Sequence, residues 1–423
     1  MFPLRLLPLA RPWSCSSSVR CLLAWTLLAK FFCAVAGGAG PADVLSLPTG
    51  SNYVYIYDMP QRFTQDILAM PLDQSLQTWT QWYDLDQHVH RFLQNSTALT
   101  QQPESARLFF IPVYLGRLYH SLLIESGLPH SECLRHVTAR VLDALQHVRQ
   151  TFPYWDGSNG QDHFMVFPMD HGRCHALAGE NQHVMGELFA VQPTGDLALT
   201  DFETRSWYCY KPRRDVLVPV PLESVVQDAG AIHTPFTDSR TISVLYRFAG
   251  GGAAGTVNFR TDPHNYSRTD LRTALLDQHL ISPIPAAVAG PSTLAQTHAD
   301  MKQSVFCVCP NGISQHTLRV FRSILAGCIP VTFFRAFDNP LERNLGLDWS
   351  AFSVNINPDE YMLTQQTLTK LLANPRRIQT MQTALQGVQP LFEWHSGRSD
   401  GVEHNMLREL NLLLDTSPVL ANG

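Results

Sequence analysis

The sequence predicts an α/β protein built from two parallel-sheet bodies, and three observations predict it. Short apolar runs alternate with helical patterns along most of the 423 residues. One stretch, Ser304 to Val331, reads as strand, turn, helix and strand in immediate succession. A Gly/Ala/Pro linker around 37–50 and a second connector, Ala229-Gly-Ala-Ile-His-Thr-Pro235, interrupt the alternation. At 45% apolar and 16% charged residues, the chain has core enough for both bodies. The reading is two Rossmann-like domains, about 51–230 and 231–395. A targeting segment and linker precede them over 1–50, and a C-terminal helix and tail follow over 396–423.

Taken in order, the strands are expected at 53–57, 108–113, 164–167, 216–220, 241–248, 305–309, 329–333 and 352–356. Pro219 and Pro221 stop the fourth. Helical spacing is clearest at 131–150, 314–326, 359–373 and 402–414. The unit from 304 to 331 holds the most chemistry. Val305 to Cys309 is too short an apolar run for a helix, and Pro310-Asn-Gly312 ends it with turn residues. Ser314 is the expected N-cap, and Gly327 stands where a left-handed residue closes a helix. Leu318, Phe321 and Leu325 form one apolar stripe, with His316, Arg319 and Ser323 on another face. Such a unit aims free N–H groups and a positive helix end at the top of a parallel sheet, where a diphosphate is stabilised. Arg319 adds a charge-assisted contact to the same anion. From the local pattern alone, another ordinary crossover with a solvated Arg319 fits equally well.

Several separated segments, in order, resemble the exostosin-like glycosyltransferases. Cys309-Pro-Asn-Gly312, Thr317-Leu-Arg319 and Gly327-Cys-Ile-Pro-Val331 are similar to that family's donor-site signature. Tyr53-Val-Tyr-Ile-Tyr-Asp-Met-Pro60, Glu104-Ser-Ala-Arg-Leu-Phe-Phe-Ile-Pro-Val-Tyr114 and His163-Phe-Met-Val-Phe-Pro-Met-Asp-His-Gly172 resemble its first-domain strands. Arg214-Asp-Val-Leu-Val-Pro219, Phe248-Ala-Gly250 and Leu347-Asp-Trp-Ser-Ala-Phe-Ser-Val354 complete the likeness, which spans about 53–395. The resemblance implies a GT-B fold, two Rossmann-like domains facing a central cleft. It also implies an inverting enzyme that moves a hexosyl or pentosyl group from a UDP-sugar to a polysaccharide or glycoprotein glycan. No cofactor beyond that donor is expected. Arg322 stands where the family carries an acidic residue that would grip the ribose, and Asn311 where it often has Arg. An arginine has donors only and cannot accept from ribose hydroxyls. That departure supports an alternative: a silent member that binds glycan or scaffolds an active glycosyltransferase in a complex.

Sugar transfer requires a stabilised diphosphate, a deprotonated hydroxyl and shelter from water. For the first task the candidates are Gly312, Ser314, Thr317, Arg319 and Arg322, joined by Gly250 of the loop Gly250-Gly-Gly-Ala-Ala-Gly255 and by Arg247 and Arg260 that flank it. For the second, Asp170 at the end of a first-domain strand is the leading base and His171 its rival. An Asp that merely caps the next helix is the plain alternative. Metal ligands are expected to be absent: His171 and His175 lack the Glu of a His-Glu-x-x-His motif. Asp84-Leu-Asp86 reads as a solvated helix face. Trp155, Trp207, Tyr208, Tyr210 and Trp394 are candidate sugar platforms, each more simply explained as core.

Residues 1–42 contain no Asp or Glu and carry Arg5, Arg11, Arg20 and Lys30. The formal net charge is −5 overall and −9 without those four cations, so nucleic acid is not an expected partner. An apolar stretch at 22–36, broken by Lys30, reads as a cleaved signal, a signal anchor or a transit peptide. The resemblance favours a type II Golgi membrane protein with a lumenal catalytic body; cleavage would leave it lumenal or secreted. Six cysteines in the body permit three bridges, while Cys307, Cys309 and Cys328 also suit buried strands as free thiols. Sequons stand at Asn95 and Asn265.

Overall fold

The computed structural model describes residues 52–72, 83–176, 188–193, 195, 199–200, 206–207, 210–212, 214–222, 240–248, 268–312, 315, 317–335, 337–394 and 398–416. The targeting segment, the connector at 229–235 and the glycine loop at 250–255 lie outside them. Two parallel sheets of five strands each carry the fold.

The first sheet contains β1 (Val54–Ile56), β2 (Leu108–Phe110), β3 (His163–Val166) and β4 (Phe189–Gln192). A two-stranded antiparallel ribbon follows, β5 (Leu199–Thr200) and β6 (Ser206–Trp207), and then β7 (Val216–Leu217) completes the sheet. Its order is β1-β2-β3-β4-β7, and Val54 also bridges Leu99 in parallel. The chain therefore leaves β1 outward to residue 99 before it returns to β2. The helices show the same reversal. α1 (Leu85–Gln94) buries Leu85, Val89 and Leu93 with Val54, Phe110 and Phe164 on one face. α2 (Leu115–His120) and α3 (His130–Thr151) pack with Phe109, Ile111 and Met165 on the other. Alternate strand residues feed opposite faces, as period-2 geometry requires.

The second sheet contains β8 (Ile242–Tyr246), β9 (Val288–Ala289), β10 (Ser304–Cys309), β11 (Ile329–Thr332) and β12 (Val354–Asn355), in the order β12-β11-β10-β8-β9. α4 (Arg268–Ile281) takes the chain outward from β8 to β9, and α5 (Leu294–Lys302) returns it to β10. α6 (Leu318–Leu325) then links β10 to β11. Beyond β12, α7 (Thr364–Leu372) and α8 (Pro375–Val388) add Leu368, Ile378, Met381 and Leu385 to this core. The order reverses between β8 and β10, the place where an open parallel sheet leaves a crevice for a ligand.

The final helix, α9 (Val402–Asp415), buries Val402, Met406, Leu410 and Leu414 against the first sheet. Its pattern was legible, as were eight of the strands in outline. β4, β5, β6, β9 and helices α2, α4, α5 and α8 were not expected. The cysteine expectation needs correction too. Cys307 and Cys328 are disulfide-bonded, with Cα atoms 5.8 Å apart, because Cys307 lies beside the first residues of β11. Cys309 and Cys133 are free and buried.

Candidate active site

At the second sheet's reversal, β10 runs into Pro310 and the half-buried Asn311 and Gly312. The next helix is shorter than its sequence pattern. α6 begins at Leu318 and its N-cap position is Thr317, in extended backbone at φ −147 and ψ 131. Ser314 lies outside the described residues, so the expected cap shifts to Thr317. The end is as expected. Gly327 has φ +69, its N–H bonds Ile324 O, and Cys328 N–H bonds Ser323 O, which closes the helix in a Schellman motif.

This start makes Arg319 the second residue of α6, within the turn where unsatisfied N–H groups and the helix dipole carry positive charge. Its guanidinium lies 5.9 Å from the ring centroid of Phe248, which is 3% exposed and follows β8. Burial pushes the Arg319 pKa down to about 10, and the neighbouring Arg322 cation adds to that push. The group stays charged at neutral pH while stripped of much of its water. An anion here would be stabilised by both the cation and the helix end. Arg322, one turn further along, is 9% exposed.

Two more donor-side details stand out. Arg247 is already engaged within the fold: its Nε donates to Asp300 Oδ2 at 2.8 Å and its Nη1 to the carbonyls of Ala289 and Gly290. It ties the end of β8 to β9 and α5. Gln315 is held by a pair of hydrogen bonds, donating to the Arg335 carbonyl at 2.8 Å and accepting from the Arg335 N–H at 2.5 Å. That pair joins the loop before α6 to the loop after β11. Gly250 and Arg260 lie outside the described residues.

On the first sheet, the segment after β3 places Asp170 half-buried, where Asp170 Oδ2 accepts the Tyr83 hydroxyl at 3.0 Å. His171 is different. It is 2% exposed, and burial, with His130 second, pushes its pKa down to about 4. A ring enclosed in that way is held neutral, whereas Asp170 beside it is half-buried. The turn is tight because Gly172 has φ +50 and a Cβ there would meet Gln192 Oε1 at 2.3 Å.

The Asp-x-Asp stretch is not a solvated face. Asp86 is 1% exposed, and it accepts from the Gly116 N–H at 3.1 Å, the N-terminus of α2. Burial raises its pKa well above the usual carboxylate range. Asp84 is half-buried, and burial pushes its pKa up to about 6 against the pull of Arg117 and Arg91. Among the described residues, no three His, Cys, Asp or Glu side chains converge as metal ligands would. Trp155, Tyr210 and Trp394 are 2%, 1% and 7% exposed, so these three aromatics are core.

The halves carrying these features are joined by hydrogen bonds, among them ones from segments just past the C-terminal ends of β4, β7 and β11. Asp338 N–H donates to Gly195 O at 3.0 Å, Trp394 Nε1 to Pro219 O at 2.9 Å, and Asn344 Nδ2 to Glu409 Oε2 at 2.6 Å.

The model of the exostosin GT47 domain matches residues 49–371. The chain belongs to the exostosin GT47 family. A probable glucuronosyltransferase of Oryza sativa subsp. japonica is 28% identical over 362 residues, covering 82% of this chain and 80% of the relative. A probable beta-1,4-xylosyltransferase of Arabidopsis thaliana is 27% identical over 364 residues, covering 82% and 80%. A probable glucuronosyltransferase of Physcomitrium patens is 27% identical over 365 residues, covering 82% and 74%. The crystal structure of TarM aligns at a TM-score of 0.34 and 8% identity, over 64% of this chain and 58% of that one. The GT47 match takes in both sheets, from β1 through β12, and α7 up to Leu371. Sequence reasoning missed Tyr83, whose hydroxyl reaches Asp170 across 87 positions; no local pattern announces such a contact.

Proposed function

We propose that this GT47 domain is an inverting glycosyltransferase that moves a sugar from a UDP-sugar to a polysaccharide or glycoprotein glycan without a metal ion. The observation that carries the reading is Arg319 at the N-terminus of α6, at the strand-order reversal of the second sheet. A leaving diphosphate supplies the negative charge that this corner favours. The acceptor hydroxyl gives its proton to Asp170, and its oxygen bonds to the anomeric carbon. The bond from that carbon to the diphosphate oxygen breaks, and its electron pair departs with UDP. The names of the relatives make UDP-xylose and UDP-glucuronic acid the first donors to try, with β-1,4-linked xylo-oligosaccharides as acceptors.

The setting is the lumen of the secretory pathway: a type II Golgi protein if the N-terminal segment is kept as an anchor, a lumenal or secreted one if it is cut. Disulfides at Cys307–Cys328 and at Cys174 support an oxidising compartment. The sequon residue Asn95 is exposed at the end of α1, accessible to glycosylation. Among the described residues no helix is long and apolar enough to cross a membrane, and the segment in question lies outside them.

A second reading, a silent glycan-binding or scaffold protein for an active partner, is favoured by one observation, the cation Arg322 in place of the family's carboxylate. UDP release by the full-length protein, measured in EDTA with each donor and the xylo-oligosaccharides, separates the two. Acceptor-dependent release supports transfer. UDP binding without release supports the silent reading. Release that fails in EDTA and returns with manganese overturns the metal-free part and brings Asp84 and Asp86 back as ligands.

A further inference from the structure

The segment from Tyr83 to Asp86 is fixed at the C-terminal edge of the first sheet by several independent contacts. The Asp86 carboxylate accepts from the N–H groups of Gln87 at 2.8 Å and Gly116 at 3.1 Å, so it caps α2 from inside the core. Gly116 cannot be replaced there, because a Cβ would lie 1.8 Å from the Tyr83 carbonyl oxygen. The Tyr83 ring rests against the His120 ring with centroids 4.2 Å apart. His120 is itself anchored by Nδ1 to the Gly116 carbonyl at 2.9 Å, and burial keeps it neutral with a pKa of about 4. This clamp delivers the Tyr83 hydroxyl to Asp170 Oδ2 at 3.0 Å. A buried carboxylate, a glycine with no room for a methyl group and an imidazole packed against the ring are more than an ordinary surface tyrosine is given.

We infer that Tyr83 is the positioning residue for Asp170: its hydroxyl fixes the plane of the carboxylate and stabilises the ionised form that takes the acceptor proton. The inference rests on the reading of Asp170 as the base. The proton leaves the acceptor oxygen for Asp170 as the new bond to the anomeric carbon forms and the diphosphate departs. A hydroxyl donated to a carboxylate favours its charged state over its protonated one. Tyr119 senses the Asp170 charge and has its pKa raised, chiefly by burial. His130, hydrogen-bonded to the Tyr119 hydroxyl at 2.6 Å, and His171 both have lowered values, chiefly from burial.

The test uses full-length protein and two substitutions. Asp170→Asn examines the base reading alone: kcat falls by about 100-fold or more while the donor KM stays within about threefold. Tyr83→Phe, which removes one atom, then examines the inference. Expected are a kcat lower by about tenfold, an unchanged donor KM, and an acidic limb of the pH–rate profile displaced to higher pH. A purely structural role would move the melting temperature and leave that limb in place. A readout without turnover is the thermal unfolding cycle of Tyr83→Phe with Asp170→Ala, where the two melting shifts are expected not to add. Wild-type kcat in Asp170→Asn overturns the base reading and the inference with it. Loss of kcat in Asp170→Asn, with an unmoved limb in Tyr83→Phe or an additive cycle, overturns the inference alone.

Discussion

Arg319 and Arg322 stand one helical turn apart, so their charges repel unless an anion or a carboxylate lies near both. The lowered pKa of Arg319 records that repulsion on top of burial. If the donor diphosphate balances the pair, Arg322→Glu puts a negative charge beside the phosphates. UDP affinity is then expected to fall by about tenfold or more, with turnover lost. Tighter UDP binding in Arg322→Glu, or turnover appearing in an inert wild type, would instead make the missing carboxylate the lesion of a silent member. Residue identity was a good guide where function depends on local chemistry, as for Arg319 at a helix start. It was a poor guide where a distant partner decides the role. Arg247 reads locally as a phosphate ligand, but its role is set by Asp300 on α5, 2.8 Å from its Nε. Asp84 and Asp86 looked solvated because polarity in a helical pattern normally faces water. Nothing local tells that α2 presents its N–H groups to Asp86.

At the scale of elements, hydrophobic period and turn chemistry made α3, α7, α9 and the strands around 304–331 legible. The strands that went unseen are short. β4 is the four-residue run Phe-Ala-Val-Gln, all buried, and β9 has two residues. So short a run is a strand only once neighbours pair with it, and β3 and β7 do so here. The start of α6 differs from the sequence pattern for a related reason: Ser314 suits a cap and lies outside the described residues, yet the helix begins at Leu318 with Thr317 in the N-cap position. Two predictions belong to this scale. Replacing Cys307 and Cys328 together by serine removes the bond between β10 and β11 and is expected to cost about 2–4 kcal/mol, read in urea unfolding. Unchanged stability would mean that the bond does not form in the folded protein. Gly116→Ala forces a Cβ into the Tyr83 carbonyl. It is expected to destabilise the protein by at least ~2 kcal/mol and to displace Tyr83 from Asp170; a wild-type melting temperature with wild-type kcat would refute the clamp.

Among the described residues, hydrogen bonds such as that from Asn344 to Glu409 join the halves of the molecule, and one of their groups titrates. Glu409 on α9 is 1% exposed, its Oε2 accepts from Asn344, and burial pushes its pKa from 4.5 up to about 8. A raised carboxyl pKa stabilises the fold only while the group is protonated. Its contribution is complete below about pH 4.5 and is lost as the pH rises to about 8. Glu409→Gln keeps the acceptor and cannot ionise. Its stability is expected to match wild type near pH 4.5 and to exceed it by ~4–5 kcal/mol at pH 8, and a pH-independent difference would contradict the buried neutral acid. Fold class was readable at this scale, since alternation implies parallel sheets. Strand order was not, because the reversals between β1 and β2 and between β8 and β10 depend on long-range pairing.

Those reversals lead to the account's central claim, that the second sheet's crevice holds a diphosphate through Arg319 and a helix end. The direct measurement is a calorimetric titration of UDP into full-length wild type and Arg319→Ala, both in EDTA. Wild type is expected to bind in EDTA, and Arg319→Ala to bind at least about tenfold more weakly with its melting temperature preserved. Equal affinity in the two proteins, or binding that appears only when manganese is added, would contradict the claim.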